Sequence, residues 1–106
     1  MNWHTRIEKS TIRKLGGTPY KKSGTDGILR GRPVEVRCIR KDNRFRIQKN
    51  VHKEMVAKNG RYIFVNSRRD TKILPAKSVS KKIGNGEWLK DRKYPHKFIN
   101  KKDVFI

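Results

Sequence analysis

Two short strand-like runs separated by a glycine predict the first feature of the fold, a β-hairpin. The runs cover residues 26–30 and 33–39, and Gly31 lies between them. Glycine suits a tight turn, and Pro33 fits the first position of a strand, where its missing N–H is not needed. We therefore expect two paired strands joined at Gly31.

Alternation within these runs separates apolar side chains from charged ones. Successive side chains point to opposite faces of a strand, so Val34 and Val36 share one face. Glu35 and Arg37 share the other face. The valines are typical of a surface that faces the core. Asp26 stands at the start of the first run, and pairing of the two runs would bring its carboxylate close to that of Glu35.

Helical apolar spacing occurs on both sides of the hairpin. An apolar stripe near the N-terminus ends at Gly16, and a second stripe at four-residue spacing comprises Ile47, Val51 and Met55. Residue 42 or 43 can cap this second helix. The predicted elements are a helix over 3–15, strands at 18–22, 26–30 and 33–39, a helix from 42 or 43 to about 59, a buried strand at 62–65 and a short helix over 75–83.

The order of these elements indicates an α/β protein with a small mixed central β-sheet flanked by helices. A strand, a helix and another strand imply a parallel neighbour reached by a right-handed crossover. Residues 68–70 are typical of an exposed loop, and the tail alternates bases with aromatic residues, which predicts short strands or irregular structure at the sheet edge. We expect a single domain over 1–106, with its core at about 3–66 and a tail at 67–106.

Charge narrows the class of partner. Twenty-nine Lys and Arg against nine Asp and Glu give a formal net charge of +20. This favours a polyanion, because basic side chains displace the counterions condensed on phosphates. No apolar run approaches the roughly 20 residues that span a bilayer, and the polar N-terminus predicts no signal peptide, so we expect a cytoplasmic protein without membrane contact. Ribosomal proteins and proteins from salty or hot habitats are also this basic.

Candidate chemistry centres on Asp26 and Glu35. Two converging carboxylates in a basic chain indicate a divalent metal ion, because unpaired like charges would otherwise repel. A single cysteine, Cys38, and three scattered histidines supply neither a disulfide nor a zinc ligand set. The ordinary alternatives are a turn residue for an Asp before Gly and a solvated strand Glu. Glu8 lies on the apolar face of the first helix, where its partner is either this site or a basic side chain.

A loop of small residues, Ser23-Gly24-Thr25, directly precedes Asp26. Such a loop lets a phosphate approach the backbone closely, although ordinary turns have the same composition. Basic residues flank this part of the chain on both sides, and they would grip a nucleic-acid backbone without reading its sequence. These flanking residues are Lys21, Lys22, Arg30 and Arg32.

With these residues in this order, the chain resembles the PD-(D/E)XK nuclease superfamily and, within it, archaeal-type Holliday junction resolvases, which are small, basic and dimeric. The resemblance covers residues 5 to about 66. It depends on residues that match the family's motif in the right structural context. Glu8 matches the first-helix Glu, Ser23-Gly24-Thr25-Asp26 the small-residue loop and metal-binding Asp, Glu35-Val36-Arg37 the Glu-x-Lys, and Gln48 a Gln on the following helix.

The resemblance implies a restriction-endonuclease-like core of order α-β-β-β-α-β and a metal-dependent DNA endonuclease. Asp26, Glu35 and the backbone carbonyl of Val36 would hold Mg²⁺ or Mn²⁺. Arg37 would donate to the phosphorane oxygens, and Glu8 would hold a water or a second ion. A homodimer with two such sites suits branched DNA, although duplex DNA is also possible. Nucleic-acid contacts are expected from Lys21, Lys22, Ser23, Arg30, Arg32, Gln48 and Lys49.

Two further interpretations stay open. The family usually has Lys where this chain has Arg37, and Arg keeps a fixed charge whereas Lys can change its protonation state. The site would then be inactive, or Lys49 would take the missing part. Alternatively, the protein binds nucleic acid without cutting it, as an RNA-binding or ribosome-associated factor does, and the carboxylates only balance nearby bases. Metal binding at Asp26 and Glu35 separates these possibilities.

Overall fold

A mixed sheet of five strands and a separate two-stranded sheet form the framework of the described chain. The computed structural model describes residues 3–20, 25–90 and 93–105, apart from the side chains of residues 3–5. In chain order the elements are α1 (Trp3–Lys14), β1 (Thr18–Pro19), β2 (Gly27–Leu29), β3 (Arg32–Cys38), β4 (Arg44–Gln48), α2 (Lys49–Ala57), β5 (Arg61–Val65), β6 (Thr71–Pro75), α3 (Ala76–Ile83), β7 (His96–Asn100) and a 3-10 helix (Lys101–Asp103). The main sheet has the order β1-β2-β3-β5-β6, and β4 pairs with β7.

The predicted hairpin is β2–β3, and its turn sets the register. Leu29 pairs with Arg32, so that only Arg30 and Gly31 form the turn. Both turn residues have positive φ angles, 51° and 77°. A two-residue turn of this kind matches the twist of antiparallel strands, and glycine adopts it without strain. The pairing then continues to Gly27 opposite Val34.

The main sheet separates two hydrophobic clusters. Val34 and Val36 pack with α1 residues in one cluster, as the alternation predicts. Alternate residues of β5 divide between the two faces, since Ile63 lies with the valines while Tyr62 and Phe64 lie in the other cluster. This second cluster includes residues of α2, α3, β4 and β7. Glu35 lies between the two valines in the sequence, so its side chain points to the opposite face of the sheet, towards α2 and α3.

The crossover from β3 to β5 is parallel, as predicted, but the second helix begins later than predicted. Residues 44–48 form β4, and α2 begins at Lys49. Phe45 and Ile47 are fully buried while their neighbours are half-buried, which is strand periodicity. The stripe of Ile47, Val51 and Met55 fits a helix equally well by spacing alone. Pairing with β7, about fifty residues further along the chain, decides in favour of a strand.

The tail contributes to both sheets. The helix predicted over 75–83 is α3, with Pro75 as its N-cap residue. β6 was not predicted, and it lies at the edge of the main sheet beside β5. The prediction that the last residues add to the edge of the central sheet is wrong, because β7 pairs with β4 instead. The protein is thus an α/β domain with a mixed central sheet and flanking helices, but β4 interrupts the predicted α-β-β-β-α-β order. None of the helices described is long and apolar enough to cross a membrane.

Gly60 makes the connection between α2 and β5 possible. The predicted helix stop at Asn59 and Gly60 is confirmed, since α2 ends just before them and Asn59 has a φ of 57°. A Cβ on Gly60 would lie 2.5 Å from Met55 Cε and 2.9 Å from the Pro33 carbonyl oxygen. Only glycine allows the helix end to approach β3 so closely.

Candidate functional site

The hairpin register brings Asp26 and Glu35 together. The pairing of β2 with β3 ends at Gly27 opposite Val34, so Asp26 directly precedes the paired residues and Glu35 directly follows them. The two carboxyl groups lie close enough for a proton on one of them to make a hydrogen bond with the other. The hairpin thus places two acidic groups close together in a protein whose net charge is +20.

Backbone groups fix the position of Asp26. Its N–H donates to the Val34 carbonyl at 3.0 Å, and its own carbonyl accepts from the Tyr20 N–H at 2.8 Å. Its side chain accepts a 2.7 Å hydrogen bond from the Val36 N–H through Oδ2. The Asp26 side chain thus satisfies a backbone N–H of β3 through Oδ2, and this hydrogen bond fixes the orientation of the carboxylate.

Glu35 is buried, with 5% of its surface exposed, and only part of its carboxylate is satisfied. Arg37 Nη2 donates to Oε1 at 3.1 Å. Within the described part of the chain, no hydrogen-bond donor reaches Oε2, and Arg37 Nε also has no acceptor. A buried carboxylate oxygen without a donor is costly, so this atom is a point where a proton or a cation would be stabilised.

Burial dominates the electrostatics of the three acidic groups. It raises the pKa of Glu35 to about 9, with Arg37 opposing the rise and the Asp26 charge adding to it. Burial also raises the pKa of Asp26, although the Val36 N–H lowers it. The pKa of Glu8 is raised to about 7, chiefly by burial and then by the charge of Asp26. Near neutral pH this cluster therefore retains protons unless a cation replaces them.

A buried polar network lies behind Glu35. Tyr62 of β5 is the parallel neighbour of Glu35, and its hydroxyl is 3.0 Å from His52 Nδ1. His52 Nε2 is 2.7 Å from Ser80 Oγ, and Ser80 donates to the Ala76 carbonyl. Because the Ser80 proton is used there, His52 donates through Nε2 and accepts the Tyr62 proton at Nδ1. Burial, and then the charge of Lys97, lowers the pKa of His52, which favours this neutral form.

This network was not predicted from the sequence. Tyr62 lies in the predicted buried strand at 62–65, and His52 lies beside the apolar stripe that includes Val51 and Met55. The signal available was a histidine near an apolar helix face, which is not specific. The partners come from three separate elements, α2, β5 and α3, so only the packed structure reveals them.

Two residues proposed for nucleic-acid contact lie where β4 meets α2. Gln48 lies at the end of β4, opposite His96, and not on a helix as predicted. Lys49 is the first residue of α2, and its N–H bonds the Pro95 carbonyl. Among the described residues, no hydrogen bond or ion pair joins either side chain to Asp26 or Glu35.

Of the basic residues proposed to contact nucleic acid, those of the hairpin lie within the described part of the chain, and those of the loop before it do not. Arg30 and Arg32 are exposed at the turn, and strand alternation puts Arg32 on the face opposite to Glu35. Both therefore lie at the hairpin tip rather than beside the carboxylates. The predictions for Lys21, Lys22 and Ser23 concern positions outside the described residues.

The residues at this site fit a divalent cation of the kind that needs only one or two protein ligands. No group of three or more His, Cys, Asp or Glu side chains in the described ranges is arranged to hold a metal ion. Mg²⁺, however, keeps several waters and is commonly bound by one or two carboxylates. Asp26 and Glu35 supply that number, and the unsatisfied Oε2 of Glu35 is a hard oxygen donor of the right kind.

Comparison with known proteins gives no match. No protein-family model, no curated protein and no solved structure is significantly similar to this chain.

Proposed function

We propose that this protein is a metal-dependent DNA endonuclease that hydrolyses phosphodiester bonds and selects DNA by its structure. The observation that supports this most is the meeting of Asp26 and Glu35, with a buried and unsatisfied Glu35 oxygen, in a chain of net charge +20. Acidic groups cluster against a strong basic background where a cation and an anionic substrate are both to be bound.

Asp26 and Glu35 would hold Mg²⁺ or Mn²⁺, and the backbone carbonyl of Val36 is the additional oxygen proposed from the sequence. When bound, such an ion supplies charge neutralisation at the scissile phosphate and activates water for attack. The fixed hydrogen bond from the Val36 N–H orients Asp26 before any ligand arrives. Little reorganisation of the pair is then needed on binding.

Arg37 and Glu8 would act on the substrate side. Arg37 uses Nη2 on Glu35 while 20% of its side chain stays exposed, so its guanidinium group can donate to a phosphate oxygen without leaving Glu35. Glu8 has a pKa of about 7, raised by burial, so it can accept a proton from an attacking water near neutral pH. Hydrolysis adds that water across one P–O bond and leaves a terminal phosphate and a hydroxyl.

Branched DNA is the substrate proposed, in keeping with the resemblance to Holliday junction resolvases. Charge-driven contact with phosphates does not depend on base sequence, so shape would decide selection. A homodimer would place two carboxylate sites across a junction with two-fold symmetry.

The test is cleavage of a labelled four-way junction, with a linear duplex of the same sequence alongside, in the presence of Mg²⁺. Asp26→Asn and Glu35→Gln should each lower the cleavage rate by about 100-fold or more, as loss of a preorganised electrostatic group does. Glu54→Gln is the matched control, because Glu54 is a surface carboxylate paired with Lys58. Undiminished cleavage by either site variant would remove the pair from the mechanism.

One observation favours a second candidate, a nucleic-acid-binding protein without nuclease activity. Glu35 already has a cationic partner in Arg37 at 3.1 Å, and this ion pair can balance the Glu35 charge without a metal ion. Absence of cleavage together with absence of Mg²⁺ binding would support this candidate. Cleavage that appears only in Arg37→Lys would instead indicate a nuclease fold inactivated by the arginine.

A further inference from the structure

The turn that joins β3 to β4 holds two arginines in fixed positions. Arg44 donates to Asp42 Oδ2 through Nε and Nη2, at 3.0 and 2.7 Å. Arg40 Nε lies 3.5 Å from Asp42 Oδ1. The turn is closed by the Arg40 N–H bonded to the Arg44 carbonyl at 3.0 Å. One carboxylate thus orients two guanidinium groups.

Phe98 of β7 supports the same two arginines from a second direction. The Arg44 guanidinium lies 3.9 Å from the centre of the Phe98 ring, and that of Arg40 lies 4.8 Å from it. Stacking on an aromatic ring restricts the long side chains to few rotamers. Both side chains nevertheless remain about one-third exposed, at 33% for Arg40 and 40% for Arg44.

The surroundings of this turn are basic. Two clefts adjoin it, and both include Asp42 and Asn43 in their walls. One is lined by lysines of the 3-10 helix, and the other by the turn's own lysine and arginine. The basic lining residues are Lys101 and Lys102 in the first cleft and Arg40 and Lys41 in the second. Among the described residues that line these two clefts, Asp42 is the single carboxylate, so the basic side chains outnumber the acidic ones.

We propose that Arg40 and Arg44 form a second phosphate-binding site, which contacts the backbone of duplex DNA away from the carboxylate pair. Guanidinium groups that are already ordered lose less entropy when they bind phosphate, and their planar N–H groups match its oxygens. Arg40 lies two residues beyond the end of β3 at Cys38, so this site is on the same stretch of chain as Glu35 but outside the strand that holds it.

This inference concerns binding and does not depend on the proposed cleavage. The test is the equilibrium binding of a short fluorescein-labelled duplex, measured by anisotropy in EDTA at several salt concentrations. Each phosphate contact contributes about 0.9 to the slope of log K against log salt. Arg40→Gln combined with Arg44→Gln should therefore reduce the magnitude of that slope by about 2.

Two further variants make the result specific. Lys53→Gln combined with Lys77→Gln removes the same charge from exposed positions on α2 and α3, and its slope should stay close to that of the wild type. Arg40→Lys combined with Arg44→Lys keeps the charge but removes the planar fork, so the slope should persist while affinity falls several-fold. Thermal unfolding of each variant establishes that it is folded.

Equal slopes for the two glutamine pairs would overturn the proposal, because the binding would then reflect total charge rather than a site. An unchanged slope in the arginine-to-glutamine pair would overturn it as well. Failure of nuclease activity leaves these binding results unaffected, since cleavage is absent in EDTA by design.

Discussion

Replacement of Glu35 by glutamine tests the electrostatics of the carboxylate pair without reference to any reaction. Burial raises the pKa of Glu35 from its ordinary 4.5 to about 9 in the folded protein. Between these values the folded chain keeps a proton that the unfolded chain releases. The free energy of unfolding must therefore fall as pH rises, with full stability below about 4.5 and progressive loss up to about 9.

The size of the effect follows from the same pKa values. One pKa unit corresponds to about 1.4 kcal/mol, so the rise from 4.5 to about 9 gives an upper bound of about 6 kcal/mol. Water that reaches the carboxyl group when it ionises would reduce this contribution to the free energy of unfolding to about 3 kcal/mol. Either value is large beside the roughly 5–15 kcal/mol that stabilises an ordinary domain. In Glu35→Gln this contribution is absent.

Urea unfolding followed by circular dichroism, at pH 5 and pH 9 in EDTA, measures the difference. The wild type should lose about 3 kcal/mol or more of unfolding free energy relative to Glu35→Gln across this interval. Glu54→Gln is again the control, because it removes a surface carboxylate of the ion pair with Lys58. Its pH dependence should follow that of the wild type.

Parallel pH dependence in the wild type and Glu35→Gln would refute the reasoning. It would mean that Glu35 is ionised throughout, with Arg37 fully compensating its burial. Addition of Mg²⁺ at pH 9 extends the test. An ion that binds only the folded state, at a free concentration of 100 times its Kd, raises the free energy of unfolding by about 2.7 kcal/mol. That gain should appear in the wild type and be lost in Glu35→Gln.

Two other predictions concern packing and the buried polar network. Gly60→Ala should destabilise the protein by about 1–3 kcal/mol, because the new Cβ would lie 2.9 Å from the backbone carbonyl oxygen of Pro33; Gly86→Ala, with open space around it, should leave the thermal unfolding midpoint nearly unchanged. Ser80→Ala should cost about 1–3 kcal/mol in urea unfolding because it leaves His52 Nε2 buried without a partner. Ser78→Ala on the same helix is its control, and an equal loss in both serine variants would contradict the role given to the network.

Local patterns predicted the part of the fold that depends on short-range geometry. Gly31 gave the hairpin turn, and alternation assigned Val34 and Glu35 to opposite faces, because a strand's period of two is intrinsic to the backbone. The proximity of Asp26 to Glu35 follows from the same two facts. The helix over 75–83 and the stop at Gly60 also came from local signals.

The elements that were missed depend on partners distant in the chain. β4 needs β7, and β7 itself belongs to the weakly patterned tail. Phe45 and Ile47 fit a strand or a helix until that partner is known, because a short apolar run has no decisive period. The contacts of His52 with Tyr62 and Ser80 likewise join three elements, and no sequence spacing encodes them.

Strand β3 connects the two sites proposed for this protein. Glu35 and Arg37 lie within it, and its chain continues directly into the turn that orders Arg40 and Arg44. Side-chain direction along a strand has a period of two, so a slip of one residue against β2 would turn Glu35 away from Asp26. The two-residue turn after Leu29 prevents that slip. The same short turn therefore determines both the pairing of the carboxylates and the face of β3 on which Arg37 lies beside Glu35.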